Sequence, residues 1–147
     1  MIMSMVDVSK KPEVLREATA RGVIKLKTKT IQLIKEEKIE KGDVFSLAKI
    51  SGILAAKKTS ELVPLCHSLP LSNVDVKIAV VDESSVAVEA TVKAFAKTGV
   101  EMEALVAISA ALLTVWDMTK QYEKNHKGQY PTTLIGDIRV LRKVKKE

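Results

Sequence analysis

The spacing of apolar and polar positions changes several times along the chain. Val74, Val76, Ile78 and Val80 alternate with Asp75 and Lys77, and Val86, Val88, Ala90, Val92 and Ala94 alternate with Glu89, Thr91 and Lys93. A period of two puts each apolar set on one face of a strand. Asp82-Glu83-Ser84-Ser85 between them reads as a turn, so the pair predicts a hairpin with one buried face. Residues 99–122 follow another rule. After Gly99-Val100-Glu101-Met102-Glu103, the residues Leu105, Val106, Ile108, Leu112, Leu113, Val115 and Trp116 cover almost the whole circumference of one long helix, which ends in Asp117-Met118-Thr119-Lys120. A helix apolar on most sides is buried on more than one of them.

Shorter elements fill the remainder. Val23-Ile24-Lys25-Leu26 predicts a short strand over residues 21–27, and Ile31, Leu33 and Ile34 among charges predict a short amphipathic helix over 30–38. Asp43 is placed to cap a helix running to Lys57. Residues 62–70, bracketed by Pro64 and Pro70, read as an ordered loop or single turn. Residues 125–133 read as a polar loop, and residues 137–144, with Ile138 and Val140 against Arg139 and Lys143, as a last strand. The order predicts an α+β sandwich: a mostly antiparallel four-stranded sheet with helices on one face, in the ferredoxin-like βαββαβ order with an extra helix in the first crossover. Residues 1–147 are expected to form a single domain. The long helix has more apolar surface than one sheet can cover, and a second subunit is the economical partner for the surplus.

Composition narrows the class. Of 147 residues, 46% are hydrophobic and 29% charged, the balance of a globular chain rather than a disordered one. By sequence no apolar run approaches a membrane span, and the first residues carry no basic segment of a secretory signal. The single cysteine, Cys66, excludes an internal disulfide, so the expectation is a cytoplasmic protein. The net charge of +6 would attract nucleic acid, anionic lipid or a phosphate-rich small molecule. Aromatic residues make up only 3%, which leaves no stacking platform for a single strand, and no zinc-finger or helix-turn-helix spacing is present. Neither a nucleic acid nor a membrane is therefore expected as partner.

Candidate chemistry gathers at the two ends of the long helix. Thr98-Gly99-Val100-Glu101 fits a capping box, with Thr98 as cap and Glu101 reaching back; Glu103 is not used by that motif, although the helix dipole stabilises it. At the far end Asp117 and Lys120 share a face, either as a surface ion pair or as a lysine tuned by a carboxylate for acid–base work. Glu103 and Asp117 are separated by roughly 21 Å along the axis, so one helix cannot present both to one small substrate. There are then two sites, or a two-fold axis brings one helix start to another helix end. Cys66 and His67 in the proline-bracketed loop read as packing or as site residues; being adjacent, they seldom form a nucleophile–base pair, and no metal-ligand spacing surrounds them. Lys41-Gly42-Asp43 precedes a helix whose backbone donors can receive a phosphate, without the glycines of a P-loop. Arg16, Lys57 and Lys58 are further anion candidates, each by itself ordinary surface charge.

Taken together, Met5-Val6-Asp7-Val8-Ser9, Arg16-Glu17-Ala18, Lys41-Gly42-Asp43-Val44-Phe45, Pro64-Leu65-Cys66-His67, residues 97–105 (KTGVEMEAL) and Asp117-Met118-Thr119-Lys120 closely resemble the molybdenum cofactor biosynthesis protein C family, the cyclic pyranopterin monophosphate synthases. The resemblance spans about residues 5 to 124 and resumes near 135–141. It implies conversion of (8S)-3′,8-cyclo-7,8-dihydroguanosine 5′-triphosphate to cyclic pyranopterin monophosphate with release of pyrophosphate. It also implies a hexamer, a trimer of dimers, with sites between subunits. Under it Asp117 and Lys120 are the acid–base centre and Lys41 a second catalytic lysine. Leu65, Cys66 and His67 bind substrate, with His67 also a catalytic candidate. Met102 and Glu103, with Glu101 nearby, are binding residues, and Arg16 and Lys57 help hold the triphosphate. No redox cofactor is implied; Mg2+ is an allowed companion of the triphosphate. The chain departs from the family at Ser68, where proline is common, in a longer 125–133 stretch, and in a basic end, Arg142-Lys143-Val144-Lys145-Lys146, where a glycine-rich tail is usual. A non-catalytic oligomer that binds a nucleotide or pterin is the alternative.

Overall fold

A computed structural model describes residues 1–147. Its elements run β1 (Val14–Lys25), α1 (Thr28–Lys35), α2 (Val44–Lys57), α3 (Thr59–Leu62), β2 (Asn73–Asp82), β3 (Ser85–Ala96), α4 (Glu101–Glu123) and β4 (Leu134–Lys146). The sheet order is β2-β3-β1-β4 and every neighbouring pair is antiparallel. This is the ferredoxin-like arrangement expected from the element order. The first crossover holds α1 and the single turn α3 in addition to α2.

The hairpin falls where the alternation puts it. Val76, Val86, Val88, Ala90, Val92 and Ala94 are buried beneath the helices, while Glu89, Thr91 and Lys93 point to the other face. The first strand is longer than the short one predicted over 21–27. Its inward positions, Ala18, Ala20 and Gly22, are too small to register as a hydrophobic stripe, and its outward positions carry Glu17, Thr19 and Arg21. Small size is needed there, because a Cβ on Gly22 would meet the Leu112 side chain of α4. The last strand is likewise longer than residues 137–144, and its pairing with β1 is twice displaced, between Thr19 and Ala20 and between Arg21 and Val23. Such bulges blur the period-two pattern in the sequence.

Helix α4 lies across β1 and β3, with Ala104, Ala107, Ile108, Ala111, Leu112 and Val115 fully buried. It is long and apolar enough, by length and composition, to cross a membrane. That corrects the reading that no run approaches a span. In the fold it serves as the core helix. Helix α2 packs antiparallel beside it. Ser51 Oγ lies 2.7 Å from Thr114 Oγ1, and a Cβ at Gly52 would stand 3.0 Å from the Ala107 carbonyl oxygen. The two helices therefore approach backbone to backbone at small residues. Away from the sheet they leave Leu47, Ile50 and Leu54 of α2 and Leu113 of α4 about half exposed or more.

Candidate active site

Asp43 begins the construction. Its Oδ1 accepts the Ser46 backbone N–H at 3.1 Å and its Oδ2 the Ser46 hydroxyl at 2.6 Å, which caps α2 as the sequence indicates. The cap also puts a carboxylate at that helix start, beside the backbone donors that the sequence offers to a phosphate. Gly42, with φ +118°, turns the chain just ahead of it in a conformation few side chains permit. The connection is held to the end of α4 by Glu40, whose N–H donates to the Tyr122 hydroxyl at 2.8 Å and whose carboxylate accepts from Gln121 at 3.0 Å. Lys41 is thereby aimed at α4.

There it meets the predicted pair. Lys41 Nζ donates to the Asp117 carbonyl at 2.8 Å and lies 3.3 Å from its Oδ2; Lys120 Nζ lies 3.1 Å from Oδ1. Two lysines from separate segments thus share one carboxylate. The Lys120 hydrogen bond first, then that of Lys41, then both positive charges hold the Asp117 carboxyl below the usual carboxylate range. It is an anion at neutral pH, flanked by proton donors. Beside it a cleft of about 450 Å3 is walled by Leu113, Trp116, Tyr130 and Ile135.

The other predicted residues assemble at the opposite end of α4. After α3 the chain turns at Cys66, whose N–H donates to the Val63 carbonyl at 3.1 Å. Leu65, Cys66 and His67 then line a cleft of about 490 Å3 with Glu101, Met102 and Val6. Cys66 Sγ is 3.9 Å from Glu103 Oε2. Burial pushes the Cys66 thiol up, and the Glu103 carboxylate adds to that, so it is not a poised nucleophile. Glu103 is only 3% exposed, and its Oε1 has no hydrogen-bond partner. Burial, and then the Glu101 charge, raise its carboxyl above the ordinary range. An orphaned buried oxygen is costly unless a ligand meets it.

Two expectations change here. The capping box does not form: α4 starts after Val100 with no side-chain cap, and Glu101 turns toward Lys143 Nζ at 3.4 Å. A Cβ on Gly99 would collide with that glutamate's carboxylate, so the glycine makes room for it. Arg16 is not surface charge. It is 6% exposed, and donates from Nε and Nη2 to the carbonyls of Ala96 and Lys97, each at 3.3 Å, under the segment that leads into Glu101. Lys57 ends α2 toward this same side but lines a separate depression with Ile53 and Asn73, not the cleft of Cys66 and His67.

Within one chain, then, Lys41, Asp117 and Lys120 form one cluster and Leu65, Cys66, His67, Glu101, Met102 and Glu103 another, at opposite ends of α4. His67 stands with the second cluster, its Nε2 hydrogen-bonded to the Val6 carbonyl at 2.8 Å; a carbonyl only accepts, so Nε2 carries the hydrogen. No group of three or more His, Cys, Asp or Glu side chains comes together as metal ligands. Tyr122, Gln121 and Glu40, which hold Lys41 in place, and the Trp116–Tyr130 wall are not among the site residues the sequence singles out. Hydrogen bonds across some 80 positions leave no local signal. The Val6 contact lies in the Met5–Ser9 run, which the family resemblance marks but periodicity does not.

The family model described as the MoaC family matches residues 5–146. The chain is 59% identical over 143 residues to a protein of Saccharolobus solfataricus named probable cyclic pyranopterin monophosphate synthase, covering 97% of this chain and 95% of that one. It is 53% identical over 145 residues to a protein of that name from Pyrococcus furiosus, covering 99% and 92%. It is also 53% identical over 143 residues to a Methanothermobacter thermautotrophicus protein named probable cyclic pyranopterin monophosphate synthase accessory protein, covering 97% and 89%.

Proposed function

The chain belongs to the MoaC family, and from that premise we propose that it is a cyclic pyranopterin monophosphate synthase of molybdenum cofactor biosynthesis. Its substrate is 3′,8-cyclo-7,8-dihydroguanosine 5′-triphosphate and its products are cyclic pyranopterin monophosphate and pyrophosphate. The observation that carries this reading is the Lys41–Asp117–Lys120 cluster, two ammonium groups on one ionised carboxylate in an exposed setting. Exposed ion pairs contribute little to folding, so stability does not account for bringing Lys41, 76 positions away, onto an aspartate that already pairs with Lys120 on its own helix.

The chemistry uses those groups in two ways. Opening and reclosing the purine-derived ring requires several proton transfers, for which Lys41 and Lys120 are donors and, once deprotonated, bases. Closing the cyclic phosphate forms a bond from a substrate hydroxyl oxygen to the α-phosphorus and breaks the bond to the β-phosphate oxygen. The departing pyrophosphate carries the negative charge that the lysines neutralise. Any Mg2+ would come with the triphosphate.

The half-sites complete each other across a two-fold axis. Met102, Val106, Leu113, Asp117 and Lys120 share the outward face of α4. A two-fold crossing α4 at Ser109–Ala110, where the side chains are small, pairs Glu103 of one copy with Asp117 of the next and covers Leu113. Such a dimer gives the orphaned Glu103 carboxyl a substrate to meet, since a carboxyl suits the donor-rich edge of a guanine-derived ring. It also fits the trimer-of-dimers hexamer that the family resemblance implies.

The test is to supply the cyclic dihydroguanosine triphosphate and follow product by mass. Formation of the pterin monophosphate with stoichiometric pyrophosphate supports the synthase. Tight retention of the triphosphate without turnover would leave a binding protein in its place.

A further inference from the structure

We infer that the Trp116–Tyr130 wall is the platform on which the flat fused ring of the substrate lies beside Asp117 and Lys120. The inference rests on the synthase reading and adds a contact to it.

Aromatic residues are scarce in this protein, with one Trp, two Tyr and two Phe. The Trp and both Tyr gather at the acid–base end of α4. Tyr122 holds the Lys41 segment, and the rings of Trp116 and Tyr130 stand 5.1 Å apart at 51°. A tilted pair at that distance is a stable aromatic contact. Together with Leu113 and Ile135 the two rings wall a cleft of about 450 Å3 whose rim carries Asp117 and Lys120. That volume suits a small ligand, and the lining is apolar walls with a few converging polar groups. A fused heterocycle fits it in kind: its faces stack on aromatic rings, and its edge nitrogens exchange protons with the rim.

Tyr130 is brought there by a loop that is held internally. Asn125 Oδ1 accepts the N–H groups of Lys127 and Gln129 at 2.9 and 3.0 Å, and Gly128 takes φ +75° to close the turn. Pro131 restricts Tyr130 to extended backbone. Beyond it Thr133 donates to the buried Glu123 at 2.6 Å. The loop is therefore clamped on both sides of the tyrosine, and the aromatic wall is preformed. This is the 125–133 stretch by which the chain departs from the family pattern, so the platform is a feature of this chain and of relatives that share the longer loop.

Trp116 is the only tryptophan, so its emission reports on this cleft alone. The probe is the cyclic dihydroguanosine triphosphate, with pyrophosphate as the control that carries phosphate but no ring. The expected result is a saturable change in Trp116 emission with the triphosphate, corrected for ligand absorption, and a smaller one with pyrophosphate, which meets Lys120 but brings no ring. Tyr130→Ala should raise KM about tenfold with a smaller effect on kcat, the range of one lost base–aromatic stack. Tyr130→Phe, which keeps the ring, should return KM to near the parent value. An unaltered KM in Tyr130→Ala overturns the inference. So does an emission change reproduced by pyrophosphate, or one that follows protein concentration and ignores the triphosphate, which would make the wall a contact between copies. The emission readout uses the parent protein and stands even if Tyr130→Ala does not fold. Product analysis by mass keeps the two ideas apart: emission change without turnover sinks the synthase reading and leaves the platform, whereas turnover without emission change does the reverse.

Discussion

Glu123 is fully buried at the last turn of α4, three residues beyond Lys120, and it joins three segments. Its oxygens accept the Lys27 N–H at 3.0 and 3.2 Å, the Thr30 hydroxyl, and the Thr133 hydroxyl at 2.6 Å. It thereby fastens the start of α1 and the loop carrying Tyr130 to the helix that carries Asp117 and Lys120. Glu123→Ala leaves one backbone donor and two hydroxyls unsatisfied in the interior, at about 1–3 kcal/mol each. Part of this is offset because a carboxyl no longer has to be desolvated. The net loss should be about 3–5 kcal/mol. Glu123→Gln differs. Its amide oxygen, placed at Oε2, keeps Lys27 and Thr30, and its NH2 group can donate to Thr133 once that hydroxyl rotates, so about 1–2 kcal/mol is lost. The assay is urea denaturation at fixed protein concentration, checked by thermal melting. At about 3 °C per kcal/mol for a chain of this size, the alanine variant should melt roughly 10–15 °C lower. Two results would refute the reasoning: an alanine variant within about 1 kcal/mol of the parent, or a glutamine variant as damaged as the alanine one.

Lys41→Ala and Lys120→Ala should each lower kcat by about 10²–10⁴-fold while gel filtration shows an unaltered assembly; normal product yield from either removes that lysine from the mechanism. Asp117→Asn removes the anion the two lysines share, so activity should fall at neutral pH while gel filtration shows an unaltered assembly; parent-like turnover would take the carboxylate out of the mechanism. For Glu103, burial raises the folded carboxyl above its unfolded value, so between the ordinary carboxylate range and that raised value the folded state holds more protons and stability declines as pH rises. Glu103→Gln abolishes that decline; its stability relative to the parent should increase from low to neutral pH in matched melts, and a constant difference would show that the carboxyl is not destabilised by burial.

The one-dimensional pattern was enough for much of the architecture. Alternation at Val74–Val80 and Val86–Ala94, the apolar circumference of α4 and the Asp43 cap are statements about neighbours within a turn or a pleat, and all reappear in the fold. The helix period also sufficed to separate Glu103 from Asp117 and so to divide the site. Local reading failed where the decisive neighbour is distant. The Ala18–Gly22 stretch of β1 looks featureless until Leu112 presses on it, and Arg16 looks like surface charge until the carbonyls of Ala96 and Lys97 bury it. Thr98 and Glu101 match a capping motif, yet Lys143 on β4 draws the glutamate away.

What the amino-acid order determined by itself is the set of elements, their faces and the kinds of side chain available for chemistry, because each depends on residues a few positions apart. Which of those side chains meet was decided only by the folded chain. Lys41 reaches Asp117, Cys66 reaches Glu103 and Tyr130 reaches Trp116 because packing small residues of α2 and of β1 against α4 sets the distances between segments, and those distances have no counterpart in the spacing of residues along the chain.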